Sequence, residues 1–166
     1  MDEDDGAGWD ERIGPLAVLV GTWRGSGEGI YPTIETFGYT EEITFTDPLV
    51  KPFVAYAQRT KHASEGRPLH AESGYLRWAG GAPEWVIASP TGLTEVHLGR
   101  VDVVEGGLDL SFRTIALAPT PSAKRVDSVE RILHVRGDEL TYELLMAAVG
   151  EPHQLHLTAT LQRVGT

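Results

Sequence analysis

Apolar and polar residues alternate with a period of two along most of the chain. In "FVAYAQRT" the residues Phe53, Ala55 and Ala57 share one parity, and in "LDLSFRTI" Leu108, Leu110 and Phe112 do. "RVDSVERILHV" sets Val129, Leu133 and Val135 on one face, with Arg131 intruding among them. "ELTYELLMAAV" aligns Leu140, Tyr142, Leu144 and Met146, and "LHLTATLQR" aligns Leu155, Leu157, Ala159 and Leu161. Successive strand side chains point to opposite faces, so this pattern predicts strands. Turn-forming clusters separate them: "TDPLVKP", "SEGRP", "AGGAP", "SPTG", "VEGG", "APTPSA", "RGD" and "VGEP". About ten strands joined by short loops predict an all-β antiparallel sandwich or closed barrel. One helical spacing stands out, Leu16, Leu19 and Val20 after Pro15 in "GPLAVLVGTW", which predicts a short helix or 3₁₀ turn plugging the structure.

Composition narrows the function. The 166 residues fit one domain with a sizeable core, and no composition break or internal repeat marks a second. A formal net charge of -10 argues against nucleic acid and anionic lipid, which both need a basic face. No cysteine is present, which removes disulfides, thiolate chemistry, iron–sulfur clusters and covalently attached haem. A transition metal would need imidazole or carboxylate. The start, "MDEDDGAGWDE", is acidic where a leader peptide would be basic and then apolar. No apolar run approaches the ~20 residues of a membrane span. The expected organisation is a disordered acidic tail over 1–12 and one barrel over 13–166, in a cytoplasmic protein.

The densest glycine stretch is "GTWRGSGEGIYPTI", from residue 21. It lacks the strand-then-helix setting of a dinucleotide fingerprint and the Lys-Ser/Thr of a P-loop. On a strand, Gly25, Gly27 and Gly29 share a parity with Trp23 and would let the sheet bend or a bulky group approach. Both readings stand on composition alone. Other chemistry is weak: no HExxH is present, Ser89 lacks a GxSxG elbow, and "RGD" at 136–138 is most simply a hairpin turn.

The stretch "GTWRGSGEGIYPTI", with "HAESGY" at 70–75 and the ending "PHQLHLTATLQR", resembles the nitrobindin family over Gly14 to Arg163. The resemblance implies a ten-stranded antiparallel barrel in the style of lipocalins and fatty-acid-binding proteins, holding one non-covalent haem b per chain. It implies a single proximal histidine, nitric oxide binding and isomerisation of peroxynitrite to nitrate at ferric haem. Of the six histidines it selects His156 as iron ligand and catalytic residue. His153 lies in the preceding turn, His62 and His134 read as solvated, and His97 shares the parity of Leu93 and Glu95. By the same resemblance Thr40, Lys124 and the signature residues Gly21, Trp23, Gly25 and Gly27 contact the haem, and His70 stands near its open side. The apolar wall is expected from Ile34, Phe37, Leu145 and Met146.

Strict alternation conflicts with this assignment. It puts His156 on the polar parity of Thr158 and Thr160, opposite Leu155, Leu157 and Ala159. Either a bulge near Gln154 breaks the alternation, or the polar parity lines the cavity. The rival from another class is a non-catalytic carrier of haem, fatty acid or another apolar ligand, in which Thr40 and Lys124 bind a carboxylate. Oligomeric state is left open, a homodimer among the options.

Overall fold

A computed structural model describes residues 11–165. A 3₁₀ turn over Gly14–Leu19 precedes ten strands: β1 (Gly21–Gly29), β2 (Phe37–Thr46), β3 (Phe53–His62), β4 (Pro68–Ala79), β5 (Ala82–Ala88), β6 (Leu93–Val104), β7 (Gly107–Pro119), β8 (Val126–Arg136), β9 (Glu139–Ala148) and β10 (Gln154–Arg163). Each strand pairs antiparallel with its chain neighbour, and β10 closes on β1. The barrel leaves no open edge, which removes the main aggregation liability of an all-β chain.

Alternation sets which residues face inward. On β7, Leu108, Leu110 and Phe112 are buried; on β10, Ala159 and Leu161 are, with Thr160 and Gln162 outside. β3 reverses the expected parity. Val54, Tyr56, Gln58 and Thr60 point inward, and Phe53, Ala55 and Ala57 do not. Both parities of "FVAYAQRT" are apolar, and the barrel's polar middle recruits Gln58 and Thr60.

The register separates two ends. Gly21 pairs with Phe45 at one, and Gly29 pairs with Phe37 at the other. The 3₁₀ turn enters at the Gly21 end, where Pro15 sits in its first turn as a residue without an N–H can. Leu16 and Leu19 are fully buried in one cluster with Trp23, Leu108, Leu140 and Leu161. Trp23 Nε1 donates to the Leu19 carbonyl at 2.9 Å. Arg163 donates to the carbonyls of Val20 and Val18 at 2.6 and 2.8 Å, its guanidinium lying 4.1 Å over the Trp23 ring. The last strand is thereby fastened to the plug.

Most of the expected acidic tail, residues 1–10, lies outside the described residues. Arg12, assigned to that tail, donates to Asp47 Oδ2 at 2.8 Å and to the Lys51 carbonyl at 2.6 Å.

Candidate functional site

The Gly29 end holds a cavity of about 670 Å³. That volume is within the range of small-molecule and cofactor sites. Phe37, Leu69, Leu93, Val129, Leu144 and Met146 supply most of its apolar wall. Leu144, with the inward parity of Tyr142, takes the place expected for Leu145, whereas Ile34, Phe37 and Met146 line the cavity as expected.

His156 enters this cavity through a break in the strand. Leu155 pairs with Leu145, and the next paired residue, Leu157, faces Leu144, so His156 is the extra residue of a β-bulge. The alternation fails at His156 itself, two residues beyond Gln154. Leu157 keeps its inward direction and His156 joins it on the cavity wall. Ile30 holds the histidine twice. Its N–H donates to the His156 carbonyl at 2.8 Å, and its carbonyl lies 2.9 Å from His156 Nδ1. A carbonyl can only accept, so Nδ1 carries the proton and Nε2 keeps its lone pair. Burial lowers the pKa of the ring, which favours the neutral form. Tyr31 packs edge-on against the imidazole at 5.3 Å and is itself pinned by the Ala148 N–H at 2.9 Å. This is the arrangement of a metal-binding imidazole, with its tautomer and orientation set by a backbone partner.

The floor is ionic. Arg131 donates from Nη1 to Glu72 Oε1 at 2.6 Å and from Nη2 to Glu95 Oε2 at 2.6 Å. Burial works to raise the Glu72 carboxyl, but the Arg131 guanidinium overrides it and holds the group well below its usual range. His70 Nε2 lies 3.1 Å from Glu72 Oε2, and buried His97 Nε2 lies 3.3 Å from Glu95 Oε2. A row of five ionisable side chains thus crosses the barrel from His97 to His70. Glu41, also buried, has among the described residues two hydrogen-bond donors, both neutral: Gln58 Nε2 at 2.6 Å and Tyr142 at 2.9 Å. Burial pushes its carboxyl up to about 7.

The structure brings together His156, His70 and Lys124, the last exposed at the rim in the β7–β8 loop. Thr40 is not with them. It faces outward on β2, in an outer groove that it shares with Gly25 and His70. Gly21, Trp23, Gly25 and Gly27, expected from the resemblance to contact a cofactor, are not among the residues that line the cavity. Trp23 is fully buried at the plugged end. A Cβ on Gly25 would meet the Thr160 carbonyl oxygen at 2.0 Å, and one on Gly27 the Thr158 oxygen at 2.3 Å and Tyr39 Cζ at 2.5 Å. These glycines make room for neighbouring strands rather than for a ligand.

Sequence reasoning passed over Tyr39, Glu41, Glu72 and Tyr31. The available signal was parity: Glu41, Gln58, Glu72 and Glu95 share the inward parity of Ile43, Tyr56, Leu76 and Leu93 on their strands, as Arg131 shares that of Val129 and Leu133 on β8. Such substitutions in an apolar face point to a buried polar network.

A haem group fits this donor set. Among the described residues no cluster of three or more His, Asp or Glu could hold a bare metal ion. A porphyrin brings its own four nitrogens and asks the protein for one axial ligand and an apolar slot. His156 and the wall around it offer both.

Comparison with known proteins agrees. The family described as "THAP4-like, heme-binding beta-barrel domain" matches residues 12–163. A protein named peroxynitrite isomerase 1 from Mycolicibacterium paratuberculosis is 48% identical over 152 residues, 91% of this chain and 94% of its own. One of the same name from Rhodococcus jostii is 51% identical over 149 residues, 89% of this chain and 82% of its own. The crystal structure of Rv2717c from M. tuberculosis superposes with a TM-score of 0.90 at 41% identity, covering 94% of this chain and 99% of that one. The chain belongs to the family of THAP4-like, heme-binding β-barrel domains, to which the nitrobindin likeness of its glycine signature points.

Proposed function

We propose that this protein holds one haem b in the cavity at the Gly29 end and isomerises peroxynitrite to nitrate there. The observation that carries the reading is His156, placed in the cavity by a bulge, its Nδ1 proton held by the Ile30 carbonyl and its Nε2 free. The relatives named peroxynitrite isomerase supply the reaction. The chemistry a bound ferric haem supplies is Lewis-acid polarisation of the anion, whose atoms are conserved on conversion to nitrate.

The chain's residues do the rest. His156 Nε2 would hold the iron through its lone pair, and Tyr31 with Ile30 fixes the ring in its orientation. Phe37, Leu144 and Met146 exclude water from the flat faces, so charge interactions in the cavity are weakly screened. Lys124 at the rim offsets the repulsion that an acidic chain exerts on an anion, and suits a carboxylate of the group. His70 supplies a polar ring near the mouth, its Nε2–H donated to Glu72 Oε2. Nitric oxide would be a second ligand of a haem held by His156.

Two variants and one rate measurement test this. Hemin titration should give a Soret band saturating at one haem per chain. His156→Ala should lose most of that affinity, while His153→Ala should keep it, because His153 is turned to Ser128 and Glu130 at 3.0 and 3.3 Å. In stopped flow the ferric protein should speed peroxynitrite decay in proportion to its concentration and raise the nitrate yield. Decay no faster than with the haem-free chain would eliminate the isomerase and leave a carrier.

A further inference from the structure

Two inward-facing tyrosines in this barrel donate to glutamates, and the glutamates differ in what else holds them. Tyr56 donates to Glu72 Oε1 at 2.7 Å, a carboxylate already clamped by Arg131. Tyr142 donates at 2.9 Å to Glu41 Oε2, whose other partner is the neutral amide of Gln58. Among the described residues no cation lies within ion-pair distance of Glu41, and its buried Oε1 has no partner. Tyr142 lies 2.8 Å, hydroxyl to hydroxyl, from Tyr39. Tyr39 lines the large cavity, whereas Tyr142 and Glu41 line a smaller one of about 50 Å³. A proton leaving Tyr39 therefore has a two-step path away from the large cavity, ending on a carboxylate able to keep it.

We propose that Tyr39, Tyr142 and Glu41 form a one-electron reducing site that quenches nitrogen dioxide, or a radical of that class, inside the cavity. Tyr39 gives one electron to nitrogen dioxide, which becomes nitrite. The Tyr39 O–H bond breaks as its proton passes to the Tyr142 oxygen, and the proton of Tyr142 passes to Glu41 Oε2. The products are a neutral Tyr39 phenoxyl radical, intact Tyr142, protonated Glu41 and nitrite. A reductant of the ascorbate class then returns the electron, and Glu41 returns the proton along the same path. A phenol loses an electron far more readily when its proton has somewhere to go. Tyr56 has a poorer outlet, since the Arg131 guanidinium makes the Glu72 carboxylate a weak base that does not keep a proton.

Glu41 must be ionised to accept the proton. The groups that face it are Tyr39 on its own strand, Gln58 from β3, Glu72 from β4, Arg131 from β8 and Tyr142 from β9. Burial and then the Glu72 charge raise its pKa, against lowering by Gln58, Tyr142 and Arg131, to about 7. The radical yield should thus rise as pH passes upward through about 7.

The inference rests on the haem reading for the source of the radical, so one arm of the test does without it. Both arms use the full chain with the exposed Tyr75 replaced by Phe (Tyr75→Phe). In the first, the hemin-loaded chain is mixed with peroxynitrite and freeze-quenched for electron paramagnetic resonance. In the second, nitrogen dioxide is generated by pulse radiolysis around the chain without hemin. A tyrosyl radical is expected in both, lost in Tyr39→Phe. Tyr142→Phe keeps the Tyr39 phenol but cuts the path, so the yield should fall and lose its pH dependence; Glu41→Gln should do the same. A radical that persists in Tyr39→Phe, or variants at 142 and 41 that match the parent in yield and pH response, would overturn the proposal. Failure of hemin to bind, or of nitrate to form, would overturn the haem reading and leave the second arm to decide this one.

Discussion

Glu41 shows how one buried carboxyl couples stability to pH. Its hydrogen-bond donors are neutral, while the nearby guanidinium of Arg131 is directed to Glu72 and Glu95. Burial, the largest influence, raises its pKa from 4.5 to about 7. The sign is the reverse of the usual paired carboxylate. Between pH 4.5 and 7 the folded chain keeps a proton there that the unfolded chain has released, so folding stability falls as pH rises. Once pH exceeds the folded value, the full shift is worth ~3 kcal/mol. Glu41→Gln cannot ionise, and its amide oxygen can still accept from Tyr142 and Gln58. Urea denaturation should find this variant more stable than the parent by ~2–3 kcal/mol at pH 8 and nearly equal to it at pH 4. Equal stability at both pH values would show that burial does not perturb this carboxyl.

At the scale of elements, the seam between β1 and β10 closes the barrel, and glycine lets it close. Gly25 pairs with Leu161, and a Cβ there would meet backbone, the Thr160 oxygen at 2.0 Å and the Leu161 Cα at 2.7 Å. Backbone cannot rotate away as a side chain can. Gly25→Ala should therefore cost ~1–3 kcal/mol, read as a lower thermal midpoint. Gly38→Ala, whose Cβ would meet Ala63 Cβ at 3.4 Å and the Gly27 oxygen at 3.9 Å, should change little. An equal loss in both would show that strand propensity, not the seam, sets the cost. The same strands show what was legible from sequence. Period two revealed β7 and β10 because one parity there is plainly more apolar than the other. It misread β3, where both parities are apolar and the inward one carries Gln58 and Thr60. His156 was legible only by family likeness, since alternation pointed it outward. A bulge consumes one residue without a composition of its own, and its place is set by the pairing of Leu155 with Leu145 and Leu157 with Leu144, far away in sequence. Arg131 stood out on an apolar face, but its partners did not, because Glu72 and Glu95 lie on distant strands and only the closed barrel brings each within 2.6 Å of Arg131.

As a whole, the molecule is asymmetric along its axis. One end is filled by Leu16, Leu19 and Trp23, and the other is hollow around His156. Apolar side chains facing a cavity of about 670 Å³ forgo contacts that a packed core would make, so the chain without a cofactor gives up stability that a flat apolar ligand can restore. A ligand that binds only the folded state stabilises by mass action, ~2.7 kcal/mol at a free concentration a hundredfold above its Kd. For a domain of this size each kcal/mol moves the thermal midpoint by roughly 2–4 °C. Hemin at that excess should therefore raise the midpoint by about 5–10 °C. His156→Ala should remove most of the rise while lowering the hemin-free midpoint by only about 2–4 °C, because the bulge and the Ile30 N–H bond to the residue 156 carbonyl are backbone and remain, whereas the Nδ1 bond to the Ile30 carbonyl and the Tyr31 contact are lost. Differential scanning calorimetry at several hemin concentrations separates the outcomes. An equal rise in His156→Ala would mean that hemin is held by the apolar wall without its axial ligand, and no rise in the parent chain would mean that the hollow end is not a haem site.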